Sequence, residues 1–258
     1  MNNLSSIKEF LRGTADRQPR LWAVYEFNIA LLEIAYTATP DDLRPWVREY
    51  SDGDPTPMFN VRHLDPSLLP HTQETYAKVV NVVESQAPHG TGDDAFCLKW
   101  AFKPSFMKLL DSLLLKTEPT DRVSCPLCGG KPFMAMIHDE KRRLLACGFC
   151  GYRWEYALES CLACGNREKE NMGFFVGEDG ERSGYRAETC ERCKTYLKTV
   201  SSVVGRVKRS GPDILSTLER EDRSIPIEDM DAVDFATLPL DLLAQSRGYR
   251  NLPSVLAI

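Results

Sequence analysis

Most of this chain is poor in histidine and cysteine. Only four histidines occur in 258 residues, and residues 1 to about 120 contain a single cysteine, Cys97. His63, His71 and His89 have no partner at ligand spacing. No Gly-rich phosphate loop, nucleophile elbow or HExxH signature is present, so the usual nucleotide-binding, hydrolase and metalloprotease readings have nothing to stand on. Basic charge is also short: 32 Lys and Arg against 37 Asp and Glu give a formal charge of −5. Tight non-specific nucleic-acid binding needs the opposite balance. Long apolar runs are missing as well. The most apolar stretch, Leu21 to Ala38, is broken by Glu26, Asn28 and Glu33, which is too polar for a bilayer span. The opening MNNLSSIKEFLRG has no apolar core of a signal peptide, so a cytoplasmic protein without membrane insertion is expected.

Against this background the remaining eight cysteines stand out. They fall between residues 121 and 200 as four Cys-x-x-Cys pairs: Cys125/Cys128, Cys147/Cys150, Cys161/Cys164 and Cys190/Cys193. Two intervening residues let both thiolates of a pair reach one ion from a single tight turn, and two such turns complete a tetrahedral four-sulfur site. In a reducing compartment, paired cysteines in this number point to metal rather than to disulfides. The first two pairs are 18 residues apart, inside the zinc-ribbon range, and the last two are 25 apart. Sequential pairing closes each site through the shorter loops and is favoured on that ground. Interleaved pairing, first with third and second with fourth, is the alternative. Two ions per chain are expected, zinc or iron, since an all-sulfur tetrahedral site suits both. With four protein ligands each site is full, which marks it as structural. Each four-thiolate site with a divalent ion adds two negative charges to an already acidic chain.

The surrounding residues agree. Gly129, Gly151 and Gly165 each follow the second cysteine of a pair, where a positive φ lets backbone N–H groups approach sulfur. Lys194 takes that place in the fourth, where its charge is expected to offset the site. His138 lies between the first two pairs but is surplus to the ligand count. Cys97, among Phe96, Leu98 and Trp100, reads as a small buried hydrophobe.

The rest reads as helix. Leu21 to Thr37 is apolar nearly all round, as in a buried helix. Tyr76, Val79, Val80 and Val83 follow helical spacing. A helix capped by Asp93 or Asp94 is expected to carry Phe96 and Trp100 and to end at Pro104. A second then carries Leu109, Leu110, Leu113 and Leu114. A last helix begins near Pro239, carries Leu242 and Leu243, and closes at Gly248. The fold class is therefore α+β: a helical domain over residues 1–120, a first metal ribbon over 121–158, a second over 159–205 and a C-terminal helical segment over 206–258. The basic run RVKR at 206–209 is short enough to be solvated surface.

The succession CPLCGG, RRLLACGFCGYRW, CLACGN and YRAETCERCKTYLK resembles the formate dehydrogenase accessory protein family, FdhE. Arg186, Glu188, Cys190, Cys193, Tyr196, Leu197 and Lys198 stand where that family's R-x-E-x-C-x-x-C-x-x-Y-L-K pattern places them. The closing ATLPLDLLAQSRGY resembles its C-terminal helix. Where the family has two acids before L-A-T-L, this chain has one, Asp234, with Phe235 in the leucine place. The resemblance implies a helical region followed by rubredoxin-like metal modules. It also implies a cytoplasmic, non-enzymatic role as assembly chaperone for the immature catalytic subunit of formate dehydrogenase. Tyr185, Arg186, Glu188, Tyr196 and Lys198, grouped around the fourth pair, are the expected partner contact. Two other functions suit such ribbons: a nucleic-acid or transcription factor, and a rubredoxin-like electron-transfer partner. Between residues 121 and 200, 13 basic residues against 12 acidic make no electrostatic funnel for nucleic acid.

Overall fold

The computed structural model describes residues 4–48, 57–59, 66–87, 94–112, 120–138, 142–156, 159–176, 184–201 and 230–252. His63, His89, Asp93, Leu113, Leu114 and the run at 206–209 lie outside them, as does the His138 side chain.

Four helices come first: α1 (Leu4–Arg17), α2 (Trp22–Thr37), α3 (Pro70–Gln86) and α4 (Asp94–Ser112). Sequence reading overlooked α1, although Ile7, Leu11, Thr14 and Ala15 make an apolar stripe at helical spacing and are buried. It covers the polar stripe of α2. Glu33 meets Lys8, and Glu26 lies 3.5 Å from Arg12. Tyr25, Phe27, Ile29, Leu31, Leu32 and Ala35 of α2 lie in the core, while Trp22, Ala23 and Thr37 at its ends are exposed. The α3 N-terminus is capped from a distance. The buried Asp41 carboxylate accepts from the Thr72 backbone N–H and hydroxyl, each at 2.7 Å. The helix expected to stop at Pro104 continues through it to Ser112. Proline removes one hydrogen bond to the preceding turn. The helix tolerates this because Trp100, Ala101, Phe102, Ser105, Phe106 and Leu109, on both sides, are buried.

The cysteine region forms strands β1 (Pro132–His138), β2 (Arg142–Cys147), β3 (Arg153–Tyr156), β4 (Met172–Val176), β5 (Tyr185–Cys190) and β6 (Thr195–Ser201). Helices α5 (Met230–Ala236) and α6 (Leu238–Ser246) follow, then the short β7 (Arg250–Asn251). Pro239 sits in the first turn of α6 and Gly248 closes it at φ +82°. The segments expected as two ribbons share a single seven-stranded sheet, ordered β3-β2-β1-β6-β5-β4 with β7 against β6. The junction is the parallel pairing of β1 with β6, Met134 to Ile137 against Lys198 to Ser201. Along β1 the side chains alternate between two apolar clusters. Met134 and Met136 join α1, α2, α5 and α6 in one, and Ala135 joins the first two cysteine pairs in the other. Helix α4 belongs to both, through Cys97 and Trp100 on one side and Phe102 and Phe106 on the other. Cys97 is thus a packed core thiol.

Candidate metal centres

The four Cys-x-x-Cys pairs adopt one local turn. In each, the residue after the second cysteine donates its backbone N–H to the carbonyl of the first. The distances are 2.9 Å for Gly129 to Cys125, 3.1 Å for Gly151 to Cys147, and 2.8 Å for both Gly165 to Cys161 and Lys194 to Cys190. The turn needs a left-handed residue: φ is +77°, +76° and +68° at the three glycines and +55° at Lys194. Lys194 is the sole non-glycine with positive φ among the described residues, and the strain costs roughly 1 kcal/mol. The Lys194 side chain departs from expectation. Its ammonium contacts Glu191 and lies 5.0 Å from the Tyr249 ring centroid, so its charge is satisfied there instead of at sulfur.

The turns assemble sequentially. Cys125, Cys128, Cys147 and Cys150 form one group and Cys161, Cys164, Cys190 and Cys193 the other, all ligand atoms of each within 4.8 Å of one another. Opposing sulfurs are 3.4 and 3.6 Å apart in the first group and 3.6 and 3.8 Å apart in the second. A disulfide needs about 2.05 Å. A tetrahedron with metal–sulfur bonds of about 2.3 Å has edges near 3.8 Å, so the donor sets fit a four-thiolate metal ion. Proton chemistry points the same way. Burial pushes the Cys125 and Cys150 thiols well above the usual value and Cys190 up to about 12. Burial acts likewise at Cys193, but the Thr195 hydroxyl and the neighbouring thiols outweigh it and bring that thiol down to about 7. With protons alone such a cluster resists becoming four thiolates; a bound cation removes the penalty.

The two groups have different surroundings. All four cysteines of the first are buried. Phe149, inside its second turn, packs against Phe102 and Phe106 of α4 at 6.1 and 5.7 Å between centroids. The strand-like residues 57–59 cover the first turn: Met58 and Phe59 donate their N–H groups to Pro126 and Leu127 carbonyls at 3.0 and 2.6 Å. Gly130 is required by proximity, since a Cβ there would meet the Cys147 Sγ at 2.8 Å and the Cys128 Sγ at 3.3 Å. A cavity of about 100 Å³ beside this group is lined by Lys99, Lys103, Arg153 and Asp231 together with Cys147 and Cys150. It brings cationic side chains toward a cluster that carries excess negative charge when loaded. In the second group Cys161 and Cys190 are buried, Cys193 is half-buried and Cys164 is exposed. The Thr195 hydroxyl lies 3.0 Å from the Cys193 Sγ.

The five residues expected to contact a partner fare differently. Tyr185, Tyr196 and Lys198 are inside, at 6%, 1% and 1% exposure. Burial removes them from any contact surface, so that part of the expectation is corrected. The Lys198 ammonium lies 2.6 Å from an Asp241 carboxylate oxygen and 2.5 Å from one of Asp234, and donates to the Asp234 carbonyl at 2.8 Å. The Tyr196 hydroxyl donates to the other Asp241 oxygen at 2.7 Å. These residues fasten α5 and α6 to the sheet. Arg186 and Glu188 form a 2.6 Å ion pair, Glu188 also holds Arg143 at 2.7 Å, and Arg186 lies over the exposed Phe174 ring. A matching clamp joins α5 to α4, where Asp231 lies 2.8 Å from the Lys99 ammonium and also contacts Lys103. Sequence reading missed this clamp; nothing in the spacing links residues 99 and 231. His71 is exposed on the first turn of α3 and stands apart from either cysteine group.

Fold and site together define a helix-and-sheet protein with two separate tetracysteine groups. Residues 124–157 match the family model described as "FdhE, central domain". The chain is 26% identical over 205 residues to a "Protein FdhE homolog" of Aquifex aeolicus, covering 75% of this chain and 65% of that protein, just under two thirds of its length. It is 24% identical over 268 residues to one of Shewanella oneidensis, covering 95% of this chain and 80% of the relative. Among solved structures, that described as the crystal structure of the FdhE protein from Pseudomonas aeruginosa matches with a TM-score of 0.58 at 20% identity, over 98% of this chain and 95% of that one. The chain is similar to the FdhE proteins in sequence and to one of them in fold. Among the described residues no helix is long and apolar enough to cross a membrane.

Proposed function

We propose that this protein is a cytoplasmic accessory factor for formate dehydrogenase that binds the immature catalytic subunit and releases it once mature, and that all eight cysteines of the two groups are metal ligands. The observation that carries the reading is the pairing of two closed four-sulfur groups with kinship to the FdhE proteins. A closed site offers no position at which to activate water, so its contribution is folding energy and a pre-ordered surface. Pre-ordering lowers the entropy cost of binding a partner. A subunit awaiting a large cofactor exposes surface that is later buried and meanwhile aggregates readily. A factor that binds that surface stabilises the immature state by mass action, and must bind the mature form less well to let go. The part of the expected contact that reaches solvent is Arg186, half-exposed beside Phe174, which is 48% exposed. The mildly acidic charge favours a protein partner over nucleic acid.

The test combines a deletion strain with pull-downs. Loss of the gene should abolish formate dehydrogenase activity without lowering its transcript, and the wild-type protein should capture the catalytic subunit before cofactor loading. Arg186→Ala should weaken capture while both ions stay bound. Full activity in the deletion strain, or equal capture of mature and immature subunit, would refute the proposal.

A further inference from the structure

The two cysteine groups share ligands, turn geometry and sheet, yet differ in access. The first is sealed. All four of its cysteines are buried, Phe149 of its second turn packs against both Phe102 and Phe106, and Leu127 of its first turn is fully buried, its carbonyl accepting from the Phe59 N–H. The cavity of about 100 Å³ that reaches Cys147 and Cys150 exposes none of its four cysteines. The second is open on one side. Ala163, Cys164 and Gly165 of its first turn are exposed, and so are Glu191, Arg192 and Lys194 of its second. A Cβ built on Gly165 would meet nothing within 4 Å.

The four sulfurs of the open group are also held unequally. Cys190 ends β5, and Cys193 stands in the tight β5–β6 turn with the Thr195 hydroxyl on its sulfur. Cys161 is buried, and its backbone N–H donates to the Asn166 carbonyl at 2.8 Å. Cys164 is the most exposed of the four. Resting on the reading that both groups hold metal, we propose that the second group is an exchangeable centre whose ion is handed to an incoming thiolate or chelator, and that Cys164 is the ligand displaced first. The bond between Cys164 sulfur and the ion breaks as the bond from the incoming donor forms. The freed Cys164 thiolate takes a proton from solvent, and no oxidation state changes. The first group, in which all four cysteines are buried, has no exposed ligand to displace and keeps its ion longer.

The full-length protein, loaded with zinc under reducing conditions, tests this. Transfer to the chromogenic chelator 4-(2-pyridylazo)resorcinol should be biphasic. One equivalent should leave at least about tenfold faster than the other, because release from the sealed group requires local opening of the core. Brief alkylation with N-ethylmaleimide, mapped by peptide mass spectrometry, should label Cys164 before Cys125, Cys128, Cys147 or Cys150. Cys164→Ser should remove the fast equivalent and leave the slow one unchanged. Two ions leaving at one rate, first alkylation in the sealed group, or loss of the slow phase in Cys164→Ser would overturn the assignment. So would a single bound equivalent whose free thiols map to the first group. Failure of zinc to bind at either group would overturn the metal reading itself.

Discussion

Replacing Lys198 with methionine probes how the C-terminal helices are held. All three ammonium protons have partners: the carboxylates of Asp234 and Asp241 and the Asp234 carbonyl. At 1% exposure no water replaces them. Burial by itself would lower the Lys198 pKa, yet the two carboxylates outweigh it and raise the value above that of a free lysine. The sign follows: this contribution is complete at neutral pH and is lost only as pH rises beyond the ordinary lysine range. Methionine keeps most of the volume but strands two carboxylates. Burial, followed by the neighbouring Asp241, already raises the Asp234 pKa against the pull of Lys198. Without the ammonium that pKa rises further.

Breaking a buried charge cluster from one side costs about 3–5 kcal/mol, a large share of a total of about 5–15 kcal/mol. Lys198→Met should therefore lower the melting temperature by roughly 6–20 °C at constant zinc. Amide exchange should quicken in α5 and α6 first, with both ions retained. Adding Asp234→Asn and Asp241→Asn should recover part of the loss, since no buried charge is then unpaired. A cost below about 1 kcal/mol, the value of an exposed pair, would refute the reasoning. So would a loss of metal while the C-terminal helices stay protected.

Three further outcomes follow from the geometry. Gly130→Ala should expel the first ion, because its methyl group collides with two sulfurs, whereas Gly165→Ala should keep both ions and lose about 1 kcal/mol from its positive φ; metal analysis and thermal melts decide. Cys161→Ser with Cys164→Ser should release one ion and leave the first group loaded, as elemental analysis would show; loss of both would refute independent centres. Burial favours the protonated form of Asp231, but the ammonium groups of Lys103 and Lys99 hold its carboxyl well below the usual range. The stability it adds is thus present at neutral pH and falls away as acid titrates the unfolded chain's carboxylates. Asp231→Asn should cost about 3 kcal/mol at pH 7, with the gap to wild type narrowing in melts taken toward pH 3.

The cysteine sites were legible because ligand spacing is a local constraint. Two residues between thiolates, a left-handed residue after them and loops short enough to close two turns on one ion are written within a few positions of each other. The buried stripe of α2 and the end of α6 at Gly248 were legible for the same reason. Pro104 misled because a local rule, the missing N–H, was outweighed by apolar burial on both sides of it. Lys198 misled in the opposite direction. A lysine in a motif beside a metal turn reads as a surface contact, and only the return of the chain at Asp234 and Asp241 some 40 residues later places it in the core.

The parallel pairing of β1 with β6 carries the largest consequence that local patterns could not give. Hairpins are written in turns, but a parallel neighbour depends on a crossover and on what packs over it. Here β1 follows the first cysteine turn and β6 follows the fourth, so one ladder connects the two groups. Lys198 lies in that ladder opposite Met134 and reaches α5 and α6 with its side chain. Met134 packs in the cluster that includes α1 and α2. The cysteine groups are therefore not beads on a string. The buried group is part of the core against which α4 packs, and the open group lies at the same end of the sheet, where β5 ends and β6 begins. One backbone ladder carries both, while all four cysteines of the first are buried and Cys164 of the second is exposed.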